Sequence, residues 1–284
     1  METSPSARRL TSRFIAGLEL EQGLEVCRKL NGQGIYVALD HLGENVTTLE
    51  EAAYARDAAL EALNAIGEQG LRATVSVKLS HFGMDISEKA CLENTAVLAE
   101  RAREIGTRVE VDMESSPYVV PTLRVIEVLH ERFQSMRAVI QAYLYRSEED
   151  ILRLSERGIP VRLCKGAYNE PPEVAYPKKR QVDESFKKLT RILMEQGTDP
   201  AIATHDEAMI LSAIESARAC GLEPQGFEFQ MLYGIRRDLQ NRLVADGYRM
   251  RVYVPYGEAW YPYFMRRLAE RPANAIFLLR NLLR

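Results

Sequence analysis

The chain has 284 residues, of which 46% are hydrophobic and 27% charged, proportions that are ordinary for a soluble globular protein. Its formal net charge of -3 at pH 7 excludes the overall basic field that is typical of nucleic-acid-binding proteins. No stretch reaches the ~18 consecutive apolar residues of a membrane span. The first residues, METSPSARRLTSRF, lack the apolar core of a signal peptide. We therefore expect a cytoplasmic protein that binds no nucleic acid.

The cysteines and histidines are scattered along the chain. They are Cys27, Cys91, Cys164 and Cys220, and His41, His81, His130 and His205. Because no CxxC pair occurs, neither a disulfide framework nor a zinc site is indicated. Because no HxH or HExxH spacing occurs, metal catalysis has no support either. We therefore expect no bound metal.

Short β-rich runs alternate with longer amphipathic runs. Several β-rich runs carry consecutive apolar residues, as parallel strands covered on both faces do. We predict strands at 34–40, 73–79, 108–112, 138–143, 160–164, 200–204, 226–231 and 249–254. Between them we predict helices at 48–68, 87–105, 118–133, 147–157, 183–196, 206–220 and 258–271. Helix-start signals support these positions, namely Thr47 or Thr48, Ser87 and Ser147, each followed by acidic residues.

This alternation predicts an α/β fold with a parallel sheet, and eight units favour a closed (β/α)8 TIM-type barrel, which we expect to be distorted. An open doubly wound sheet would have a similar pattern, but no GxGxxG follows the first strand. One domain of this kind, typically ~250 residues, can absorb the whole chain. We expect residues 1–10 to be disordered, 11–31 to form an extra helix, 34–271 to form the barrel, and 275–284 to form a helical tail.

Polar side chains stand in or just after the predicted strands. They are Glu44, Lys78, Asp112, Gln141, Arg162, Lys165, Tyr168, His205, Gln230, Tyr233 and Tyr253. The carboxyl ends of barrel strands form the active-site rim in this fold class. A lysine inside an apolar strand cannot stay buried without a partner, so Lys78 must meet a carboxylate, a ligand anion or water.

Each of these residues also has a structural explanation when it is taken singly. Lys78 could be an ion-pair partner, and Asp112 or His205 could start a helix. Gln141 and Gln230 could satisfy neighbouring backbone groups. Their joint placement at one rim favours a functional site over these separate explanations.

The last predicted helix adds a pair of adjacent cations. Tyr263, Arg267 and Glu270 share a face, and Arg266 flanks it. Neighbouring guanidinium groups suit a carboxylate or a phosphate, although a solvated Arg–Glu pair would explain the two arginines alone. Their position after the eighth strand, where barrels commonly bind anions, favours a ligand.

Several segments resemble the signature motifs of proline dehydrogenase, and they occur in that family's order. The segments are SVKLS around Lys78, VEVDME around Asp112, VIQAYLYR around Gln141, RLCKGAY (162–168), ATHD around His205, FQMLYG (229–234), VYVPYG (252–257) and YxxRRLxE (263–270). The resemblance covers about residues 12 to 274 and is to the single-function bacterial form.

The resemblance implies FAD-dependent oxidation of L-proline to Δ1-pyrroline-5-carboxylate by hydride transfer to flavin N5, as the first step of proline catabolism. It implies that FAD is bound non-covalently and that electrons pass to a quinone, with the protein peripheral to the inner face of the membrane. The residues that would hold FAD are Gln141, Arg162, Lys165, Gly166, Ala167, Thr204, His205 and Gln230.

The resemblance also assigns the substrate contacts. Arg266 and Arg267, helped by Lys78, would hold the proline carboxylate. The pyrrolidine ring would be enclosed by Tyr168, Leu232 and Tyr253, with Asp112 close by, and Glu44 would pair with Arg266 over the bound substrate. Two positions depart from the bifunctional form of the family: Asn169 replaces a tryptophan beside the adenine, and Tyr233 replaces a histidine.

Two other classes of function stay open at this point. A Schiff-base aldolase with Lys78 as nucleophile would explain a lysine in a barrel strand, but not the paired arginines. A non-catalytic barrel that only binds a ligand would show no redox turnover and no strong cofactor.

Overall fold

Eight parallel strands close into a barrel in chain order, which confirms the predicted (β/α)8 fold class. The structure, a computed structural model, describes residues 13–269, and at Phe264 and 266–269 it describes the backbone alone. The strands are β1 (Tyr36–His41), β2 (Ala73–Val77), β3 (Val109–Val111), β4 (Met136–Gln141), β5 (Val161–Cys164), β6 (Ala201–Ala203), β7 (Glu228–Leu232) and β8 (Arg249–Tyr256). Each overlaps a predicted strand. The first and last strands pair in parallel, with Tyr36 opposite Arg251, and so close the barrel.

Helices follow the strands, and one precedes them. They are α1 (Leu20–Asn31), α2 (Leu49–Glu68), α3 (Glu88–Glu104), α4 (Val119–Phe133), α5 (Ser147–Glu156), α6 (Lys179–Gln196), α7 (Glu207–Ala219), α8 (Arg237–Ala245) and α9 (Trp260–Ala269). The predicted helices are present, and α8 was not among them. Short 3-10 turns lie at Leu79–Phe82, Ser116–Tyr118 and Pro224–Gly226.

A helix begins at or next to each of the three predicted start signals, and two of those side chains cap the helix. Thr48 caps α2, where its hydroxyl accepts from the backbone N–H of Glu51 at 3.2 Å, and Ser87 caps α3 in the same way. Ser147 is the first residue of α5, so Arg146 occupies the capping position and makes no side-chain cap. The Ser147 hydroxyl instead donates to the backbone oxygen of Gln141 at 2.6 Å, satisfying a carbonyl at the end of β4.

The extra N-terminal helix is shorter than the predicted span of 11–31. It begins at Leu20, because Glu19 and Gln22 form a reciprocal capping box there. The side-chain oxygen of Gln22 accepts from the backbone N–H groups of Leu18 and Glu19, at 2.7 and 3.1 Å. These hydrogen bonds fix the point at which the helix begins. The expectations for residues 1–10 and 275–284 lie outside the described residues.

The strands alternate between an apolar outer face and a polar inner face. On β2, Val75 and Val77 belong to the apolar core shared with the surrounding helices. The intervening Thr74 and Ser76 point inward, where both hydroxyls reach Glu110 of β3. Polar side chains thus line the barrel interior, and they extend along the strands to the residues at the carboxyl ends.

Candidate active site

A cavity of about 420 Å³ lies at the carboxyl ends of the strands. Among the predicted site residues whose side chains the structure describes, all but Glu44 line it: Lys78, Asp112, Gln141, Arg162, Lys165, Gly166, Ala167, Tyr168, Thr204, His205, Gln230, Leu232 and Tyr253. The structure therefore brings these predicted residues together at one cavity. Met113, Cys164, Asp206 and Tyr263 also line the cavity.

Lys78 projects into the cavity directly after β2 and meets two carboxylates. Its Nζ lies 3.5 Å from Oδ2 of Asp40 and 3.8 Å from Oδ2 of Asp112. Burial alone would lower the pKa of the Lys78 ammonium, but these carboxylates outweigh burial and raise the pKa above its usual value. Lys78 is therefore a fixed cation at one end of the cavity.

Asp112 gathers donors from three other strands. Its Oδ1 accepts from Nη1 of Arg162 at 2.6 Å and from the hydroxyl of Ser76 at 3.0 Å. Its Oδ2 accepts from the Tyr253 hydroxyl at 2.6 Å. Since Tyr253 in turn lies with its ring 5.5 Å from the Arg162 guanidinium, Asp112 fixes the orientation of both neighbours.

Arg162 joins the cavity to a buried charge network that the sequence analysis missed. Its Nη2 and Nε donate to Oε2 of Glu110, at 2.5 and 3.1 Å. Burial would raise the pKa of Glu110, but the surrounding guanidinium groups outweigh it and hold that pKa well below its usual range.

The rest of this network fills the barrel interior. Glu228 accepts from Nη1 of Arg137 at 2.5 Å and from Nε of Arg251 at 2.9 Å. The amide of Gln230 donates to Glu228 at 2.6 Å and to Glu110 at 3.3 Å. Gln230 therefore lines the cavity while Glu228 and Glu110, in the barrel interior, hold its amide in place. The signal for the network was present in the sequence, since polar residues recur at every second position of β3, β7 and β8.

Gln141 is held at the end of β4 by the backbone of Glu114. Its Nε2 donates to the Glu114 carbonyl oxygen at 2.9 Å. The Glu114 carboxylate accepts from the backbone N–H and the hydroxyl of Ser80, at 3.0 and 2.5 Å. Ser80 then accepts from the backbone N–H of Asn45 at 3.1 Å. A continuous hydrogen-bond chain therefore runs from Gln141 to the loop that carries Glu44.

The loop after β5 forms the outer end of the cavity. Lys165 Nζ pairs with Asp183 and lies 3.0 Å from Oδ2 of Asp206. Gly166 has φ +117° and lies against Tyr143, whose ring a Cβ at this position would overlap. Only glycine fits this conformation at such close approach. Ala167 and Tyr168 follow and line the same end.

Thr204 and His205 come from the end of β6. The Thr204 hydroxyl accepts from the backbone N–H of Asp206 at 3.1 Å. His205 Nε2 accepts from the backbone N–H of Leu232 at 2.9 Å. A nitrogen that accepts cannot carry a proton, so His205 is a neutral imidazole with its proton on Nδ1. His205 therefore ties β6 to the cavity wall at Leu232.

Glu44 lies outside the main cavity. It lines a neighbouring cavity of about 560 Å³, together with His41, His81 and Tyr256. Its carboxylate is among the charges that raise the pKa of Lys78, so the two groups are within electrostatic reach. The side chains of Arg266 and Arg267 lie outside the described residues, and the Glu44–Arg266 pair stays a prediction.

The two positions that depart from the bifunctional pattern also lie away from the main cavity lining. Asn169 is exposed in the loop after β5. Tyr233 follows β7 and faces the other way, into a cavity of about 200 Å³, where the Arg237 guanidinium lies 5.5 Å from its ring.

Neither a metal cluster nor a membrane span is found within residues 13–269. In that range no group of three or more His, Cys, Asp or Glu side chains is arranged to hold a metal ion. Among the same described residues, no helix combines the length and the apolar character needed to cross a bilayer.

Comparisons with known proteins match almost the whole chain. The family model for proline dehydrogenase matches residues 24–280. The chain is 39% identical to proline dehydrogenase 1 of Bacillus subtilis (strain 168), over 96% of this chain and 90% of that protein. It is also 39% identical to proline dehydrogenase of Deinococcus radiodurans, over 97% of this chain and 90% of that protein.

A solved structure agrees with these matches. The crystal structure of proline utilization A from Bdellovibrio bacteriovorus, inactivated by N-propargylglycine, superposes with a TM-score of 0.85 at 27% identity. The match covers 91% of this chain but 32% of that longer one. The chain therefore belongs to the proline dehydrogenase family, and it is an oxidoreductase by that membership.

Proposed function

We propose that this chain oxidises L-proline to Δ1-pyrroline-5-carboxylate with non-covalently bound FAD, as the first step of proline catabolism. The observation that carries the proposal is one cavity with two chemically different ends. Lys78, Asp112 and Tyr253 form one end, and the loops after β5 and β6 form the other. The relatives from B. subtilis and D. radiodurans, which are named proline dehydrogenases, support the same substrate.

The residue types around the cavity fit a flavin dinucleotide. The planar groups of Gln141, Gln230 and Arg162 lie at the cavity floor, where they suit the carbonyl and nitrogen atoms of a flavin ring. At the outer end, Lys165 and the Thr204 hydroxyl suit a pyrophosphate. When bound, FAD would supply the acceptor for the hydride at its N5.

Two observations support non-covalent attachment. Burial raises the pKa of the Cys164 thiol to about 11, so this cavity cysteine is a poor nucleophile near neutral pH. His205 Nε2 is already engaged by the Leu232 backbone N–H.

The substrate end of the cavity supplies binding and orientation. Lys78, which stays an ammonium, would attract the proline carboxylate together with Arg266 and Arg267. Tyr253 and Leu232 would enclose the ring. Loss of a hydride from the ring carbon beside nitrogen, and of the proton from nitrogen, gives the C=N bond of the product. Proper orientation of that carbon is the main contribution of the chain's own residues.

The electrons would then pass to a quinone, and we propose that this happens at the inner face of the membrane in a cytoplasmic protein. The family resemblance supports this step. Reduction of a soluble quinone by L-proline, followed in the presence and absence of anionic vesicles, would test it. A quinone-reductase rate that is the same without proline would contradict it.

A Schiff-base aldolase is disfavoured by the state of Lys78. A lysine nucleophile needs a lowered pKa, whereas Asp40 and Asp112 raise that of Lys78. Borohydride should therefore trap no adduct at Lys78.

The test of the proposed reaction is product analysis. Purified protein, uniformly ¹³C-labelled L-proline and a soluble quinone should give labelled Δ1-pyrroline-5-carboxylate by NMR, together with its hydrolysis product. Lys78→Met should slow product formation severely. Complete recovery of the proline after many hours would refute the proposed function.

A further inference from the structure

Residues 13–17, which we call the strap, cross the carboxyl ends of β7 and β8. The backbone N–H of Ala16 donates to the carbonyl oxygen of Pro255 in β8 at 2.9 Å. The carbonyl oxygen of Gly17 accepts from the backbone N–H of Gly257 at 3.0 Å. The strap is therefore tied to the end of β8 by backbone hydrogen bonds.

The strap contributes two buried side chains to a small apolar cluster that is separate from the main core. Phe14 and Ile15 are only 6% and 3% exposed. The cluster also contains Leu42, Ile235 and Tyr263, and it packs against Leu232, Tyr253 and Trp260. Three of these residues, Leu232, Tyr253 and Tyr263, also line the main cavity. The strap thus lies directly behind one wall of that cavity.

A glycine after β7 makes room for the strap, and a glycine after β8 donates a backbone hydrogen bond to it. Gly234 has φ +76°, and a Cβ at this position would overlap the carbonyl oxygen of Arg13. Gly257 has φ +119° and donates its N–H to Gly17. These glycines end the FQMLYG and VYVPYG segments. Close approach of the strap's backbone gives Gly234 a reason to be glycine, whereas a Cβ at Gly257 would meet His41 and Leu42 instead.

We propose that the strap is a positioning element of the active site, in which Phe14 and Ile15 hold Leu232, Tyr253 and Tyr263 in the geometry that binds substrate. Tyr263 belongs to α9, the helix in which Arg266 and Arg267 also lie, so the strap also holds this helix against the barrel. For its substrate, this inference rests on the proposed oxidation of L-proline.

A pair of matched glycine variants tests the proposal in the full-length protein. Gly247 has φ +87°, but an added Cβ there meets nothing within 4 Å. Gly234→Ala and Gly247→Ala therefore impose similar backbone strain, and only the first displaces the strap. We expect Gly234→Ala to raise KM for L-proline about tenfold by misplacing the cavity wall. Gly247→Ala should leave KM within about twofold of wild type, and flavin content should be unchanged in both.

A second variant acts from the other side of the contact and carries the test if Gly234→Ala does not fold. Phe14→Ala removes the buried ring without altering β7, and it should raise KM in the same direction. The proposal is overturned if both Gly234→Ala and Phe14→Ala keep the wild-type KM, or if Gly247→Ala raises KM equally.

Limited trypsin digestion separates this inference from the proposed function. The Arg13–Phe14 bond should resist trypsin in wild type and be cut in Gly234→Ala, as N-terminal sequencing of the fragments will show. Cleavage of that bond at the same rate in both proteins would overturn the docked strap. Absence of proline turnover in wild type would refute the proposed function and leave the digestion result valid.

Discussion

Asp112→Asn is the substitution that probes the substrate end of the cavity most directly. The change keeps the shape of the side chain and removes its charge. Wild-type Asp112 is 14% exposed and lies 2.6 Å from Arg162, 2.6 Å from the Tyr253 hydroxyl and 3.8 Å from Lys78. Asparagine offers one acceptor oxygen in place of two, so at least one of these donors must lose its partner.

The magnitude follows from the kind of bond that is lost. A hydrogen bond to a charged group is worth about 1.5–3 kcal/mol. Because Tyr253 would lose the acceptor that orients it, or Arg162 one of the two carboxylates that hold it, we assign most of that loss to the transition state. A loss of about 2.7 kcal/mol corresponds to roughly a hundredfold decrease in kcat/KM. The assay is steady-state oxidation of L-proline with a soluble quinone.

Asp199→Asn is the matched control, because Asp199 lies at the opposite end of the barrel. Its carboxylate lies 2.6 Å from both Arg108 and Arg137 and also pairs with Arg249. The same substitution should therefore lower stability while kcat/KM stays within about threefold. If Asp112→Asn kept wild-type kcat/KM, or if Asp199→Asn lost as much, the assignment of Asp112 to the site would be refuted.

Three further predictions concern stability and the loop after β1. The surrounding arginines outweigh burial and hold the pKa of the Asp199 carboxyl below its usual value. The stabilising effect of this carboxylate is therefore lost as pH falls through the folded-state pKa. The Tm difference between wild type and Asp199→Asn should shrink below about pH 4. Burial lowers the pKa of His81 to about 4. As pH falls from about 6.5, the unfolded chain binds a proton that folded His81 does not, so the fold loses stability. A His81→Gln variant whose Tm varied with pH as that of wild type does would contradict this. Ser80→Ala should raise KM for proline several-fold by loosening the loop that carries Glu44, and it should have little further effect in a Glu44→Ala background. Ser135→Ala is the control, because it removes a hydrogen bond of 2.6 Å that lies far from the site, and it should not change KM.

The barrel and most of the cavity could be predicted from the sequence because two local patterns coincide. Apolar strands placed at regular intervals set the fold class, and polar residues at their ends must meet at one rim once the barrel closes. Lys78 illustrates the second pattern, since an apolar strand can carry a lysine only if a partner comes from elsewhere in the fold. The structure supplies Asp40 and Asp112 as those partners.

The buried network of Glu110, Arg137, Glu228 and Arg251 was missed because the prediction considered strand ends rather than whole strands. These residues alternate with apolar ones, a pattern that is typical of strands with one face exposed to solvent. Their burial depends on which face points into the barrel, which a single strand does not reveal. The four residues are at most 7% exposed, and their charged groups pair with one another across the barrel interior.

The strap was missed for a different reason. The predicted helix at 11–31 included these residues, so it extended too far towards the N-terminus. The capping pair Glu19 and Gln22 was the local signal for the true helix start. The packing of Phe14 on the barrel mouth depends on long-range contacts that no local pattern contains.

The visible absorption spectrum of the purified protein, recorded without oxygen before and after addition of L-proline, tests the central proposal most directly. Bound flavin should absorb in the visible range, and L-proline should bleach that absorption as the hydride is transferred, whereas D-proline should leave it unchanged. Acid precipitation should release the flavin completely into the supernatant. A colourless protein that still oxidised L-proline, or a yellow protein whose spectrum L-proline left unchanged, would contradict the proposed FAD-dependent oxidation.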